Sequence, residues 1–378
     1  MMQTFRPLIF SLCAFFFGAS FPAQAFRDED YFEDESEDQQ EEPASGPPET
    51  SYGPKLFDFE ETIQDFILET KKLDIPGFPH AFNPSLIRWQ GSLLLSFRVY
   101  NSTNGTHRIG LVWLDDECAI KSAPMDLHMP FEDPCCFSNK RQDPRLICLN
   151  NRLYVVYSNI LKTLFADREI RRVLIAELHY DGENFYAEKS HIFLNYDQEI
   201  FTRSEKNWVP IVYNEDLYLA YSLNPHRVLK PLFPSEYCKP IASTQANISW
   251  NWGVLRGGTP AVLDGAEYIA FFHSSKNLPT VHSEGKTMLH YVMGAYTFKA
   301  QPPFEITRMS PEPIVGPGFY HGPAHKTWKP LRVVFPCGLV VEKDLLWLSY
   351  GRQDNEVWIA KIDKQKLLNS LVPVTTTK

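Results

Sequence analysis

The segment RQDPRLICLNNRLYVVYS, residues 141–158, joins an Asp-Pro-Arg tripeptide to a turn and an alternating apolar run. Its second half, LNNRLYVVYS (149–158), begins with turn residues and ends in an aromatic residue followed by a small one. Apolar residues at alternate positions are typical of a β-strand, and Asn is typical of turns. This stretch therefore predicts a turn followed by a strand.

Five segments of the chain share this design, at a spacing of roughly sixty residues, which is the range of a repeat architecture. They are WQGSLLLSFR (89–98), LNNRLYVVYS (149–158), YNEDLYLAYS (213–222), LDGAEYIAFFHS (263–274) and VEKDLLWLSYG (341–351). A second strand-like run often follows, as in IGLVWLD and RVLIAELHY. Radial repetition of a small antiparallel sheet makes a β-propeller. The repeats predict an all-β, five-bladed propeller; the alternative is a β-sandwich with similar strands.

The N-terminal region has the composition of a secretory signal peptide over residues 1–25. Arg6 is its only basic residue, an apolar run covers residues 7–17, and Ala23-Gln24-Ala25 fits a cleavage site. This pattern predicts export: a secreted, periplasmic or secretory-pathway protein with no integral membrane segment after cleavage.

Three further regions follow the signal peptide. Residues 26–52 are rich in Asp, Glu, Gln, Ser and Pro, a composition that predicts a disordered acidic linker. Residues 53–78 are predicted to be a partly helical lead-in, with Phe57 to Lys72 as the best helical candidate. Residues 79–378 are predicted to form the propeller domain.

The net charge and the cysteine content indicate which partners, disulfides and metal sites to expect. The formal net charge is −9 and the acidic linker supplies much of it, so the folded part is close to neutral and no nucleic-acid partner is predicted. Six cysteines follow the signal peptide, which permits up to three disulfides in an exported chain. The chain has no CxxC spacing and no His-rich helix pattern, so no metal site is predicted. The oligomeric state is left open.

A series of short polar motifs accompanies the repeats. In chain order they are Asn83-Pro84, Arg98, Asp143-Pro144-Arg145, Lys206-Asn207-Trp208, Asn224-Pro225-His226-Arg227, Arg256-Gly257-Gly258-Thr259-Pro260, His273, Met293-Gly294-Ala295-Tyr296, Phe335-Pro336-Cys337-Gly338 and Tyr350-Gly351-Arg352-Gln353-Asp354. Their order resembles glycoside hydrolase family 130, the β-mannoside phosphorylases and hydrolases, and the related propeller β-mannosyltransferases. The resemblance extends from about Pro79 to Leu368.

The resemblance implies roles for individual residues. Asp143 matches the catalytic acid of the family. The positions that hold the mannose are matched by Asn83, Arg98 and Asp354. The positions at which phosphorylases bind phosphate are matched by Lys206, Asn207, Arg227, Arg256 and His273. No cofactor is implied; the implied partners are a mannose-containing oligosaccharide or glycan and inorganic phosphate or a sugar phosphate.

The chemistry of glycosidic bonds separates the possible functions. A hydrolase needs a second carboxylate that activates water, whereas a phosphorylase needs cations that hold phosphate as the nucleophile. The matched positions contain bases rather than acids, which favours phosphorolysis or transfer from a phosphorylated mannose donor. An exported β-mannoside hydrolase and a non-catalytic glycan-binding propeller are the alternatives.

The candidate residues also have structural interpretations. Asp143 and Asp354 can be turn residues that precede strands. Arg98 can be a structural ion-pair partner, and His273 a hydrogen-bonded core histidine.

Overall fold

The computed structural model describes residues 55–130, 138, 140–161, 170–188, 190–193, 204–323 and 331–377. The predicted signal peptide (1–25) and acidic linker (26–52) lie outside these residues. The described part is mostly β-strand, with one short α-helix and two 3₁₀ turns (Phe59–Thr62 and Val281–Ser283).

The strands form successive antiparallel meanders, five within the described residues. An N-terminal strand, β1 (Ile67–Leu73), precedes them. The first meander contains β2 (Ala81–Trp89), β3 (Ser92–Asn101), β4 (Thr106–Leu114) and β5 (Met125–Asp126). The second contains β6 (Gln142–Leu149), β7 (Arg152–Leu161), β8 (Ile170–Tyr180), β9 (Phe185–Ala187) and β10 (His191–Phe193). The third contains β11 (Val209–Tyr213), β12 (Asp216–Leu223), β13 (His226–Pro231) and β14 (Cys238–Ala246).

The last two meanders belong to one continuous sheet. The fourth contains β15 (Arg256–Gly257), β16 (Val262–Asp264), β17 (Glu267–Pro279), β18 (Thr287–Lys299) and β19 (Ile306–Met309). The fifth contains β20 (Leu331–Val341), β21 (Leu345–Arg352) and β22 (Glu356–Asp363). A short parallel pairing of β18 with β20 connects the two meanders. The helix α1 (Lys364–Ser370) and the strands β23 (Val372–Pro373) and β24 (Thr376–Thr377) end the described chain.

The five repeated segments contain strands β3, β7, β12, β17 and β21, each of which lies between two neighbouring strands of its meander. Consecutive residues of these strands pack into different hydrophobic clusters. Leu94 joins a cluster shared with the second meander, whereas Leu95 joins one shared with the fifth. Side chains alternate between the two faces of a strand, so a strand between two neighbours must be apolar on both faces. This explains why the repeated segments contain uninterrupted apolar runs such as LLL, VVY and LWL.

One hydrophobic cluster lies between each meander and the next. Pairs of residues that mark the five clusters are Leu94 with Tyr157, Val156 with Leu219, Ala220 with Phe272, Phe271 with Leu348, and Trp347 with Leu95. The last pair connects the fifth meander to the first, so the series of meanders closes on itself as in a propeller. The predicted all-β propeller class is confirmed.

The lead-in differs from the prediction. Only Phe59–Thr62 forms a 3₁₀ turn, and the second half of the predicted helix is β1, which pairs with β22 from Ile67↔Ile362 to Leu73↔Val357. The helical prediction for Phe57 to Lys72 was therefore wrong, and the propeller begins before residue 79. Pairing with β22 buries both ends of β1 and outweighs the helix propensity of its Glu and Lys residues.

The C-terminal segment returns across two other meanders. After α1, β23 pairs with β19 of the fourth meander and β24 pairs with β14 of the third. Both partners are the outer strands of their meanders. The tail therefore covers two sheet edges that would otherwise be open to pairing with another chain.

The described cysteines do not form disulfides. Cys118, Cys148, Cys238 and Cys337 are free thiols; six cysteines permit up to three disulfides, but a core of this size does not need them. Cys135 and Cys136 lie outside the described residues. In the part of the chain that the structure describes, no helix has the length and apolar character needed to cross a bilayer. The same residues contain no group of His, Cys, Asp or Glu side chains suited to a metal ion.

Candidate active site

Asn83 and Asp143 occupy equivalent positions at the start of the innermost strands β2 and β6. Both precede a proline, both lie where the strand register shifts, and their φ angles are 47° and 52°. Asn and Asp are the side chains that best tolerate this left-handed conformation. Asn83 Nδ2 donates a 2.8 Å hydrogen bond to Asp143 Oδ1. The two bulges therefore bring an amide and a carboxylate of different meanders into contact.

Arg98 holds the same carboxylate from strand β3. Its Nη1 donates to Asp143 Oδ1 at 3.0 Å, its Nε donates to His107 Nδ1 at 3.0 Å, and its guanidinium lies over the Phe82 ring at 4.7 Å. Arg98 has no exposed surface. It therefore acts on Asp143 directly, and the mannose contact predicted for it stays a prediction.

The surroundings of Asp143 favour its ionised form. Burial alone would raise the pKa of this carboxyl, but the Arg98 charge, the Asn83 hydrogen bond and the Arg145 charge together hold the pKa below its ordinary value. A carboxylate that accepts charge-assisted hydrogen bonds is stabilised as the anion. The predicted acid is therefore an anion in the ligand-free site.

Asp354 is the second buried carboxyl of the site. It lies in the turn between β21 and β22, where its φ is 48°. Burial raises its pKa to about 7; the charge of Arg98 opposes this rise, and the charge of Asp143 adds to it. The Asn83 amide also opposes the rise in this pKa. Gly351 leaves room for that amide, because a Cβ there would collide with Asn83 Oδ1. The pair thus has one carboxyl that is ionised and one that retains a proton near neutral pH.

Arg145 connects the carboxyl pair to the predicted phosphate residues. Its Nη1 donates to the Asp143 carbonyl at 3.0 Å, its Nη2 donates to Asn207 Oδ1 at 3.1 Å, and its Nε donates to the Gly258 carbonyl. Asn207 has φ 61° at the start of the third meander. A single buried guanidinium therefore contacts the second, third and fourth meanders at their common centre.

His273 lies on strand β17 opposite Arg256 of β15. Its Nδ1 is 2.8 Å from the Gly257 carbonyl oxygen. Burial, followed by the charges of Arg256 and Lys206, lowers its pKa well below the ordinary value. The charges of Lys206 and Arg256 therefore act on the same ring, and the ring itself is neutral; the phosphate-binding role of these residues stays a prediction.

Arg227 is the predicted site residue that is not brought to this cluster. It lies on β13, paired with Ser222 and Ser243, and within the described residues no contact joins it to the other predicted phosphate ligands. Sequence reasoning also missed two contributors. Arg145 belongs to the Asp-Pro-Arg motif, which was a usable signal; His107 carries no motif and is recognisable only from its contact with Arg98.

Comparisons with known proteins identify the family of the chain. A family model described as beta-1,4-mannooligosaccharide phosphorylase matches residues 59–372. No curated protein matches the chain by sequence.

Solved structures share the fold at low identity. A glycosyl hydrolase from Bacteroides ovatus is 17% identical, covering 76% of this chain and 85% of its own, with a TM-score of 0.54. A mannose phosphorylase from Leishmania mexicana, MPT-4, solved with a phosphate ion, is 12% identical over 84% and 94%, with a TM-score of 0.53. A beta-1,2-mannobiose phosphorylase from Listeria innocua, solved with beta-1,2-mannobiose, is 15% identical over 82% and 94%, with a TM-score of 0.51.

The chain is a carbohydrate-active enzyme of the propeller class. It belongs to glycoside hydrolase family 130, because the family model covers most of its length. The predicted resemblance is confirmed, and with it the assignment to enzymes that act on β-mannosidic bonds.

Proposed function

We propose that the protein cleaves a β-mannoside by phosphorolysis and forms the same bond in the reverse direction. A phosphate oxygen attacks the anomeric carbon, the bond from that carbon to the glycosidic oxygen breaks, and this oxygen takes up a proton. The products are mannose 1-phosphate and the released acceptor sugar. No cofactor is needed, because phosphate is the nucleophile and becomes part of the product.

The observation that carries this proposal is the group of bases around His273. Arg256 pairs with His273 across β15 and β17. Arg145 donates to Asn207, the neighbour of Lys206 in the chain, and to the Gly258 carbonyl. An arginine fork and a lysine suit phosphate, so this group of bases supports a phosphate ligand.

The proposal gives the residues separate tasks. Asp143 delivers the proton to the leaving oxygen, Asp354 holds a proton near neutral pH, and Asn83 fixes the two relative to each other. Lys206, Asn207 and Arg256 hold phosphate. An incoming phosphate adds negative charge beside the pair and so raises the pKa of Asp143 toward the value that an acid requires.

The test is incubation with a β-mannobiose in the presence and absence of inorganic phosphate. We expect mannose 1-phosphate to form, and to form only with phosphate. Release of free mannose at the same rate without phosphate would establish a hydrolase instead.

Asp143→Asn is expected to lower the turnover by roughly a hundredfold or more, the usual contribution of a general acid. Asp126→Asn, which alters an exposed ion pair with Arg108, is the matched control. Circular dichroism establishes that both variants are folded. If Asp143→Asn retains wild-type turnover, Asp143 is a turn residue and the mechanism is wrong.

A further inference from the structure

The turn between β21 and β22 contains two consecutive residues with a strained backbone. The φ angles of Gln353 and Asp354 are 56° and 48°, and neither residue is glycine. The left-handed conformation costs such residues free energy, and glutamine lacks the short side chain with which aspartate tolerates it. Gln353 has no exposed surface, so its contacts with the surrounding protein hold it in this conformation.

The side chain of Gln353 completes a strand ladder. Strand β20 pairs with β21 as far as Val334↔Arg352, so the next pair along the ladder is Val333 with Gln353. The backbone N–H of Gln353 donates to the Val333 carbonyl at 2.9 Å, whereas the N–H of Val333 donates to the side-chain Oε1 of Gln353, also at 2.9 Å. The side-chain amide therefore takes the place that a backbone carbonyl has in a regular antiparallel pair.

This replacement allows the chain to reverse at Gln353. Val333 is buried, and a buried backbone N–H needs a hydrogen-bond partner. Because Oε1 is that partner, the backbone carbonyl of Gln353 need not face β20, and the residue can adopt the left-handed conformation. The side-chain Nε2 donates to the His321 carbonyl at 3.4 Å, so both ends of the amide are held.

The base of the turn is held by a separate set of contacts. Arg352 and Glu356 are opposite each other in the ladder, and Arg352 Nε donates to Glu356 Oε2 at 2.7 Å. Arg352 Nη1 donates to the Gly318 carbonyl at 2.8 Å, and the guanidinium lies over the Trp358 ring at 3.9 Å. These contacts fix where the turn begins and ends. They do not fix the conformation of the residues within it.

The conformation of Gln353 determines where the carboxyl of Asp354 lies. Asp354 is buried at the centre of the site, where Arg98, Asp143 and Asn83 act on its carboxyl. The φ angle at residue 353 sets the direction of the residue that follows. A change to a right-handed or extended value would therefore move this carboxyl away from the three groups.

We propose that Gln353 is a positioning residue: its side-chain bond to Val333 maintains the left-handed turn that places the Asp354 carboxyl for contact with the sugar. The inference rests on the proposed function for the role of Asp354 in holding mannose. It adds a residue that does not touch the sugar and yet determines how tightly the sugar binds. A carboxyl that is already in place before the ligand arrives does not have to be ordered on binding.

The test is calorimetric titration of the full chain with mannose at pH 7, for the wild type, Gln353→Met and Gln353→Glu. Methionine is similar in length but has no oxygen, so the Val333 N–H loses its partner and the binding-competent turn becomes less populated. We expect Gln353→Met to bind mannose at least about tenfold more weakly, the effect of one unpaired buried group. Gln353→Glu retains an acceptor oxygen and should lose less affinity than Gln353→Met.

The pH dependence of mannose binding separates positioning from a general loss of structure. The titratable and charged groups that act together with Asp354 at this centre are Arg98 of β3, Asp143 of β6, Lys206 before β11 and Cys337 of β20. Burial raises the pKa of Asp354 to about 7, so the wild-type affinity should change with a midpoint near that pH. In Gln353→Met the carboxyl becomes hydrated, and the midpoint should move to lower pH. Damage elsewhere would lower the affinity without moving the midpoint.

Gln90→Met is the matched control. Gln90 has φ 50° in the exposed turn between β2 and β3, at the other end of β2 from Asn83. The same substitution at this left-handed residue should leave both the mannose affinity and its midpoint at the wild-type values. Circular dichroism establishes that all the variants are folded.

Four results would overturn the inference: a Gln353→Met affinity within about threefold of the wild type, an unmoved midpoint, equal losses in Gln353→Met and Gln353→Glu, or no mannose binding by the wild type. Failure of the proposed function gives a different result. A protein that binds mannose with these differences between variants but forms no mannose 1-phosphate retains this inference and loses the proposed reaction.

Discussion

At the scale of residues, the centre of the site contains two aspartates with opposite protonation. Asp143 accepts hydrogen bonds from Arg98 and Asn83, whereas Asp354 is buried beside the resulting negative charge. Pairs of carboxyls whose surroundings separate their pKa values are a common arrangement in acid catalysis. This difference has a consequence for stability that can be measured without any substrate.

Asp354→Asn is expected to change how stability depends on pH. The folded-state pKa of about 7 is above the ordinary value of 3.8 for an aspartate. Stability from the protonated carboxyl is therefore present in full below pH 4 and is lost as pH rises to about 7. Asp354→Asn lacks this loss. Its free energy of unfolding should therefore rise relative to that of the wild type by up to about 1.4 kcal/mol per pH unit across that window.

Urea unfolding at intervals between pH 4 and pH 8 measures this difference. Asp126→Asn at the surface serves again as the control and should follow the wild-type curve. Parallel curves for the wild type and Asp354→Asn would show that Asp354 titrates in the folded protein as it does in the unfolded chain.

The sequence indicated which residues come together in most of the site, but not their protonation states. Asn83, Arg98, Asp143 and Asp354 come together as the order of motifs implied. The protonation of each group depends on burial and on neighbours contributed by other meanders, and a linear motif contains neither. The neutral ring of His273 is an example, because burial and the charges of Arg256 and Lys206 from other strands and loops lower its pKa.

At the scale of elements, the repeated strands β3, β7, β12, β17 and β21 were predicted and β1 was not. The repeated strands are buried on both faces, and their apolar runs can be recognised in isolation. The strand β1, ILETKKL, is polar at its centre and is a strand only because β22 pairs with it. Local patterning carries no information about a partner almost 300 residues away.

The turn between β11 and β12 offers a stabilising substitution. Asn214 and Glu215 both have positive φ, 49° and 62°, as a type I′ hairpin requires. Glutamate in this conformation has a steric cost of roughly 1–2 kcal/mol, which glycine avoids. Glycine loses more conformational entropy on folding, and this loss offsets part of the gain. We expect Glu215→Gly to raise the free energy of unfolding by up to about 1 kcal/mol.

Denaturant unfolding of Glu215→Gly measures this gain. Asn214→Gly in the same turn is the comparison, and it should gain less because asparagine already tolerates the left-handed region. A loss of stability in Glu215→Gly would mean that the glutamate side chain makes a contact worth more than the strain.

At the scale of the whole molecule, the N-terminal segment is part of the closure of the ring. Phe59, Phe66 and Ile67 pack in the cluster between the fourth and fifth meanders, and Leu73 packs in the cluster between the fifth and first. Burial of four such side chains contributes roughly 6–12 kcal/mol. That is comparable with the entire stability of a typical domain.

Removal of residues 1–73 should therefore leave no cooperative unfolding transition. Removal of residues 1–54 retains every one of these contacts and should leave the thermal midpoint unchanged. Differential scanning calorimetry of the two truncated chains makes the comparison. A normal transition after removal of residues 1–73 would show that the ring closes without β1.

The pairing of β1 with β22 also determines how late during synthesis the ring can close. Leu73 is among the first residues of the domain to be made, and its partner Val357 is among the last. At about 5–20 residues per second, roughly 15 to 60 seconds separate the two on the ribosome. During that interval the growing chain has an unpaired first strand, and each completed meander presents an apolar face that awaits its neighbour. Closure is then a single late event, so a messenger truncated shortly before codon 357 yields a nearly complete polypeptide without a finished ring.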